Sequence, residues 1–248
     1  MKKSILVVGS LIALSLLIGG TATVALYAPP EPPLTPPGIV GAVVRPGGVT
    51  EIDTVPAPGP GGSFVAAVDA AALPFVRAAV QGGGRVVNFD VITPPLSVTQ
   101  TTVPVSVLRE TGGLAVRVQT ATAAVEVAPA TVGSLVAANT ILNVTIRTPA
   151  IAPIAAVMPA GTERVGSPVA VEANFTGNMA VTIPLTLFVP TDATARAAFM
   201  ARFRVLSIVD GVVTTLTPTF TFDELAVPPL LTGVTFTTTR SGAFAVIR

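Results

Sequence analysis

The 248-residue chain reads as a mainly β protein with β-sandwich architecture, Ig-like or of a related type, carrying one or two short helices. Three observations predict this. From Arg85 onward, apolar and polar residues alternate with a period of two in short runs rich in Val, Ile and Thr. These runs are separated by Pro, Gly and Asp-Gly turn signals. Charged residues make up only 11% of the chain, too few to coat long solvated helices, while 50% are hydrophobic, enough to bury a sizeable core without staples.

Taken in order, "MKKSILVVGSLIALSLLIGGTATVA" has the three parts of a secretory signal over residues 1–25. Lys2 and Lys3 form the positive region, Ile5 to Ile18 the apolar region, and small residues allow cleavage after Ala22 or Ala25. An uncleaved anchor is the competing reading, because no charge occurs between Ser4 and Pro30. Both readings place the rest of the chain outside the membrane, at an extracellular or cell-surface location. "APPEPPLTPPG" should be an extended, semi-rigid spacer, because its prolines fix φ and remove backbone donors. Residues 26–62 are therefore expected as a Pro/Gly-rich spacer with two short strands around Pro46-Gly47-Gly48.

Ser63 to Gly84 is the best helix candidate, capped by Ser63, kinked or split at Pro74 and stopped by three glycines. "RVVNFDVI", "VPVSVLRE", "LAVRVQT", "AAVEVAP" and "ILNVTIRT" then read as strands, with a helical turn near Val132 to Ala137. In "LAVRVQT", Val116 and Val118 share one face and Arg117 and Gln119 the other, which describes a sheet with one wet side. Thr148 to Arg164 marks a seam, compatible with two β-rich subdomains over 63–150 and 151–248. Beyond it come "PVAVEANF", "MAVTIPLTLFV", "RFRVLSIV", "VVTTLTPTFTF" and "LTGVTFTTT" as strands. Asp210-Gly211 forms a hairpin turn, and one helix in "PTDATARAAFMAR" is capped by Thr191 or Asp192.

Composition removes several function classes. With no Cys there is neither a disulfide framework nor a thiolate site, and with no His the commonest general base and metal ligand are missing. Fourteen basic residues face thirteen acidic ones, and the only lysines are Lys2 and Lys3, so no basic field exists for nucleic acid. The serines have no base to activate them. There is no Trp, and the single Tyr is Tyr27, which disfavours a sugar site built on aromatic platforms. No cofactor is expected.

The remaining candidates are weak. Glu51 and Asp53 stand two apart, so on a strand both carboxylates face one way, with roughly 7 Å between their Cα atoms. They can begin a Ca²⁺ site or an acid pair, but a solvated strand face explains them better, because Ca²⁺ wants about six to eight oxygens. Asp223-Glu224 reads as a polar turn. Arg196, Arg202 and Arg204 can contact an anionic polymer such as a wall teichoic acid, although arginine on an exposed edge also blocks unwanted strand pairing. Threonine-dense strands fit the solvent face of a sheet. In "VTFTTTRSGAFAVIR", Arg240-Ser241-Gly242 is expected to be a corner that returns Phe244 and Val246 to the core.

"VGSPVAVEANFTGNMAVTIPLTLFVP", "FRVLSIVDGVVTTLTPTF" and "VTFTTTRSGAFAVI" together resemble the carboxy-terminal β-sandwich module of secreted Gram-positive surface and S-layer-associated proteins. Phe64 to Thr148 is similar to the part that precedes it, and the resemblance covers about three quarters of the chain. Where that family commonly ends on a His-Phe-Ser-x-Tyr pattern, this chain has Arg240 to Phe244. The resemblance implies a non-catalytic structural or adhesive role in a cell envelope or extracellular layer, with like subunits or cell-wall polymer as partners. A wall-glycan or ion-binding module is the alternative, and a carboxylate-pair hydrolase a more distant one.

Overall fold

The computed structural model describes residues 37–94 and 97–248; the segment expected to be a signal and most of the proline-rich stretch lie outside them. The fold is mainly β, built as a sandwich of two large mixed sheets with a few short helices. Among the described residues no helix is long and apolar enough to cross a membrane.

Strands β1 (Gly38–Arg45) and β2 (Val49–Val55) form a hairpin. Its turn needs glycine, since Gly47 and Gly48 sit at φ 82° and 77°. This part of the expected spacer is thus a sheet component. The short strand β3 (Ala57–Pro58) pairs with β4 (Phe64–Ala67) in the opposite sheet. The helix expected to start at Ser63 begins later, as α1 (Leu73–Gln81), because Phe64 to Ala67 pairs in parallel with β6 (Thr99–Val103). Pro74 lies in the first turn of α1, where its missing N–H costs nothing, so it starts the helix rather than kinking it.

Strand β5 (Val86–Val91) follows, and after β6 the chain forms α2 (Val105–Glu110), not the strand expected for "VPVSVLRE". Pro104 serves as its extended N-cap. Strands β7 (Ala115–Gln119) and β8 (Ala124–Val127) form a hairpin. Helix α3 (Pro129–Ala137) contains the expected helical turn and leads to β9 (Leu142–Arg147). Three segments therefore share one plan: a strand in one sheet, a helix opened by Pro, a positive-φ residue or glycine pair, and a strand in the other sheet. Gly83, Gly112 and Asn139 occupy the positive-φ stops.

The second half runs α4 (Ile151–Ala155), β10 (Arg164–Ala173), β11 (Met179–Phe188), α5 (Ala193–Met200) and β12 (Arg204–Val209). It closes with β13 (Val212–Leu216), β14 (Thr219–Asp223), β15 (Leu230–Thr238) and β16 (Gly242–Ile247). Asp192 caps α5, its Oδ1 accepting from Ala195 N at 2.7 Å. Asp210 and Gly211 turn the β12–β13 hairpin with φ 51° and 76°, the geometry a two-residue hairpin loop requires.

The first sheet has the order β1-β2-β5-β7-β8-β11-β15-β14, the second β13-β12-β16-β10-β9-β6-β4-β3. Helical crossovers make β2/β5, β5/β7 and β4/β6 parallel, and the other pairs are antiparallel. At the expected seam, β8 pairs with β11 and β9 with β10, so both sheets run through it. The inward faces share one hydrophobic cluster, including Ile52, Phe89, Val118, Val144, Val181, Phe203 and Phe244. A smaller cluster lies on the outer face of the second sheet, where Ile154 of α4 covers Leu206, Ala245 and Ile247.

Candidate functional site

The outer face of the first sheet carries the chain's most concentrated polar chemistry. On β2, Thr50, Ile52 and Thr54 are buried, which leaves Glu51 and Asp53 half-buried on the opposite face. On β5, Val87, Phe89 and Val91 fill the core, so Asn88 and Asp90 also face outward. The parallel register sets Glu51 opposite Asn88 and Asp53 opposite Asp90. One carboxylate oxygen from each of Glu51, Asp53 and Asp90 lies within 4.8 Å of the others. The sequence had paired only the first two; Asp90 comes from a strand that the intervening chain delivers alongside.

Arg45 of β1 closes one side of this cluster, its Nε and Nη2 donating to Glu51 Oε2 and Oε1 at 3.1 and 2.9 Å. Gly41, opposite Asp53, leaves the neighbouring space free of side chain. Across β5, Asn88 faces Arg117 of β7, and Asn88 Nδ2 donates to Gln119 Oε1 at 3.3 Å. Arg117 donates to Glu126, its partner on β8. The row then turns uncharged, and Thr182 and Thr235 share a 2.9 Å hydroxyl hydrogen bond between β11 and β15. The threonine-rich strands thus place hydroxyls on an open sheet face, as their β-propensity suggested.

Partial burial pushes the Asp90 carboxyl above the usual carboxylate range, and the charges of Glu51 and Asp53 push it further, against a smaller opposing pull from Arg45. A raised pKa means that the folded chain binds this proton more tightly than the unfolded chain does. Ionised Asp90 therefore costs stability above its folded pKa, and that cost fades as the pH falls through it. In metal-free buffer, Asp90→Asn should raise the melting temperature at neutral pH. The gain should shrink as the pH falls through the folded pKa and vanish below about pH 3, under the unfolded Asp pKa of about 3.9, where the carboxyl is protonated in both states. Thermal melts of the two proteins at both pH values check this.

Of the three arginines singled out from the sequence, Arg196 and Arg204 have partners of their own. Arg196 donates to Glu224 Oε1 at 2.7 Å and to Pro190 O at 3.0 Å, with its guanidinium 5.7 Å from the Phe222 ring centre. Arg204 donates to the carbonyls of Ala201 and Phe203 at 2.8 and 2.7 Å. Arg202 lines a depression with Gly161, Thr162, Glu163 and Arg248. Phe203 and Val205 are fully buried while Arg202, in the turn before β12, and Arg204 are exposed. Asp223 accepts from Leu225 N at 3.0 Å, a polar turn. Ser241 ties two strand ends together, its Oγ accepting from Ala173 N at 2.8 Å and donating to Ala173 O at 3.3 Å. Arg240 pairs with Asp210 at the rim.

No family model, no curated protein and no solved structure matches this chain.

Proposed function

We propose that the protein is a non-catalytic structural module of a bacterial cell envelope or extracellular layer, which assembles by pairing its open sheet edges with further copies of itself. The observation that carries this reading is the state of the outermost strands. Among the described residues β1 has a partner on one side only, and Val40, Val43 and Val44 are 50%, 46% and 75% exposed. At an edge of the other sheet, β13 exposes Val212 at 60% and Val213 at 40%. Proteins that stay apart blunt such edges with charge or proline. Here β13, "VVTTL", carries neither, and β1 carries one arginine at its end.

Other features support the same reading. The amino-terminal signal and the proline-rich stretch suit export and display. The second resource of such a protein, a neutral surface, follows from local charge pairing: seven ion pairs among the described residues use arginines on strands, helices and rims. The absence of His from the sequence and the hydrogen bonds that tie Ser241 to the Ala173 backbone support the non-catalytic reading.

Light scattering of the chain across concentration, with and without purified cell wall, tests the proposal. Assembly that grows with concentration is expected, and a Val44→Lys/Val213→Lys variant should weaken it by charging both edges. A strict monomer that ignores the wall overturns it.

A further inference from the structure

Apart from the edges, one feature asks for a ligand. The structure places three carboxylates together and adds a buried polar atom that has no partner. Asn88 is only 1% exposed, walled in on the outer sheet face between Glu51 on one strand and Arg117 on the other. Its Nδ2 is used on Gln119, toward β7. The two amide heteroatoms diverge from one carbon, so Oδ1 is turned away from Gln119, and the residue paired with Asn88 on the β2 side is Glu51. That oxygen accepts no hydrogen bond. A buried carbonyl oxygen without a partner costs about 1–3 kcal/mol, and beside it stand carboxylates that repel one another. Both defects have the same remedy, a positive charge that accepts oxygen lone pairs.

We propose that Glu51, Asp53, Asp90 and the side-chain oxygen of Asn88 bind a hard divalent cation such as Ca²⁺. The carboxylate oxygens lie within 4.8 Å of one another, close enough to share one ion. All donors are oxygens, which excludes a preference for softer metals. Three carboxylates, monodentate or bidentate, and one amide oxygen supply most of the ligands. Water completes the shell on the exposed side, where Gly41 contributes no side chain.

The charge balance is also favourable. Arg45 offsets one carboxylate, leaving a net charge of about −2 over Glu51, Asp53, Asp90 and Arg45, which a divalent cation cancels. Arg45 then competes with the cation for Glu51. Binding links β2 to β5 and thereby holds the β1–β2 hairpin on the sheet, independently of any pairing along the β1 edge.

Titration of the full chain with CaCl₂ in chelator-treated buffer, by calorimetry and by thermal melting, tests the site. Saturable binding of one ion per chain is expected, with a rise in melting temperature. Asp53→Asn and Asp90→Asn should each weaken binding about tenfold or more; both are near-isosteric and relieve repulsion, so they keep the fold. Arg45→Gln, a change at an exposed side chain, should tighten binding several-fold by removing the competitor. Calcium heats and melting shifts no larger in the parent chain than in an Asp53→Asn/Asp90→Asn double variant overturn the proposal. So does an Arg45→Gln protein that binds more weakly than the parent.

Discussion

Replacing Phe244 with Ala lowers the stability of the fold by about 3–5 kcal/mol. Phe244 is fully buried on β16, and its ring centre lies 4.8 Å from that of Phe236 on β15, at 46°. β16 belongs to one sheet and β15 to the other, so this contact spans the sandwich. Truncation removes the ring and leaves a cavity that the surroundings cannot close. β16 is hydrogen-bonded to β12 on one side and β10 on the other, which fixes its backbone. From outside, Ile154 of α4 already packs on Ala245 and Ile247. A fall in the urea midpoint with an unchanged denaturant slope is the expected readout. Phe244→Leu, which refills part of the space, should recover much of the loss, whereas Thr237→Ala on the open face of β15 should change stability by about 0.5 kcal/mol or less.

How far the fold was legible follows from what each segment must satisfy. Strands that bury one face announce themselves: Val116 and Val118 go inward and Arg117 and Gln119 outward because a period of two admits no other arrangement. Turns with a steric demand were equally plain, as at Asp210-Gly211, where positive φ at both positions restricts the residue choice. Short helices were harder. "VPVSV" alternates as well as any strand, and six residues of α2 are too few for a helical period to show. The usable signal was punctuation: Pro104 before the helix and Gly112-Gly113 after it repeat the Pro74…Gly82-Gly83 frame of α1, and Pro129…Asn139 repeats it again with Asn as the positive-φ stop.

The candidate site was half legible for a similar reason. Glu51 and Asp53 share a face because they are two apart on a strand, a local relation. Asp90 joins them only through the parallel β2/β5 register, which depends on where α1 returns the chain. "VTEIDTV" and "VVNFDV" do share a phase, acidic residues alternating with core residues, but phase alone does not name neighbouring strands. Threonine was ambiguous in the same way. Thr182 and Thr235 face outward, while Thr99 and Thr101 are buried with unpartnered hydroxyls, because a β-branched residue suits either face of a pleated sheet.

Gly242 shows the difference between a turn and a tight fit, and Gly242→Ala should cost about 3 kcal/mol, the upper end of the usual overpacking range. The sequence suggested a glycine that lets the chain turn a corner. Gly242 is instead the first residue of β16, and it is not among the residues with positive φ. An added Cβ would lie 2.7 Å from Val209 Cγ2, 2.8 Å from the carbonyl oxygen of Ile208 and 3.2 Å from Phe244 Cζ. The valine methyl can rotate away. The Ile208 carbonyl cannot, because β12 is locked to β16 through the Ile208–Ala243 pair. The methyl group therefore pushes apart two central strands and presses on the ring that bridges the sheets. Gly47→Ala supplies the contrast: its φ of 82° strains any side chain, yet nothing lies within 4 Å of the added carbon, so the cost should stay near about 1–2 kcal/mol. Equilibrium unfolding of both variants decides between the two accounts. A Gly242→Ala protein as stable as the parent would mean that β16 and β12 can separate locally, and the close-approach explanation of this glycine would fall.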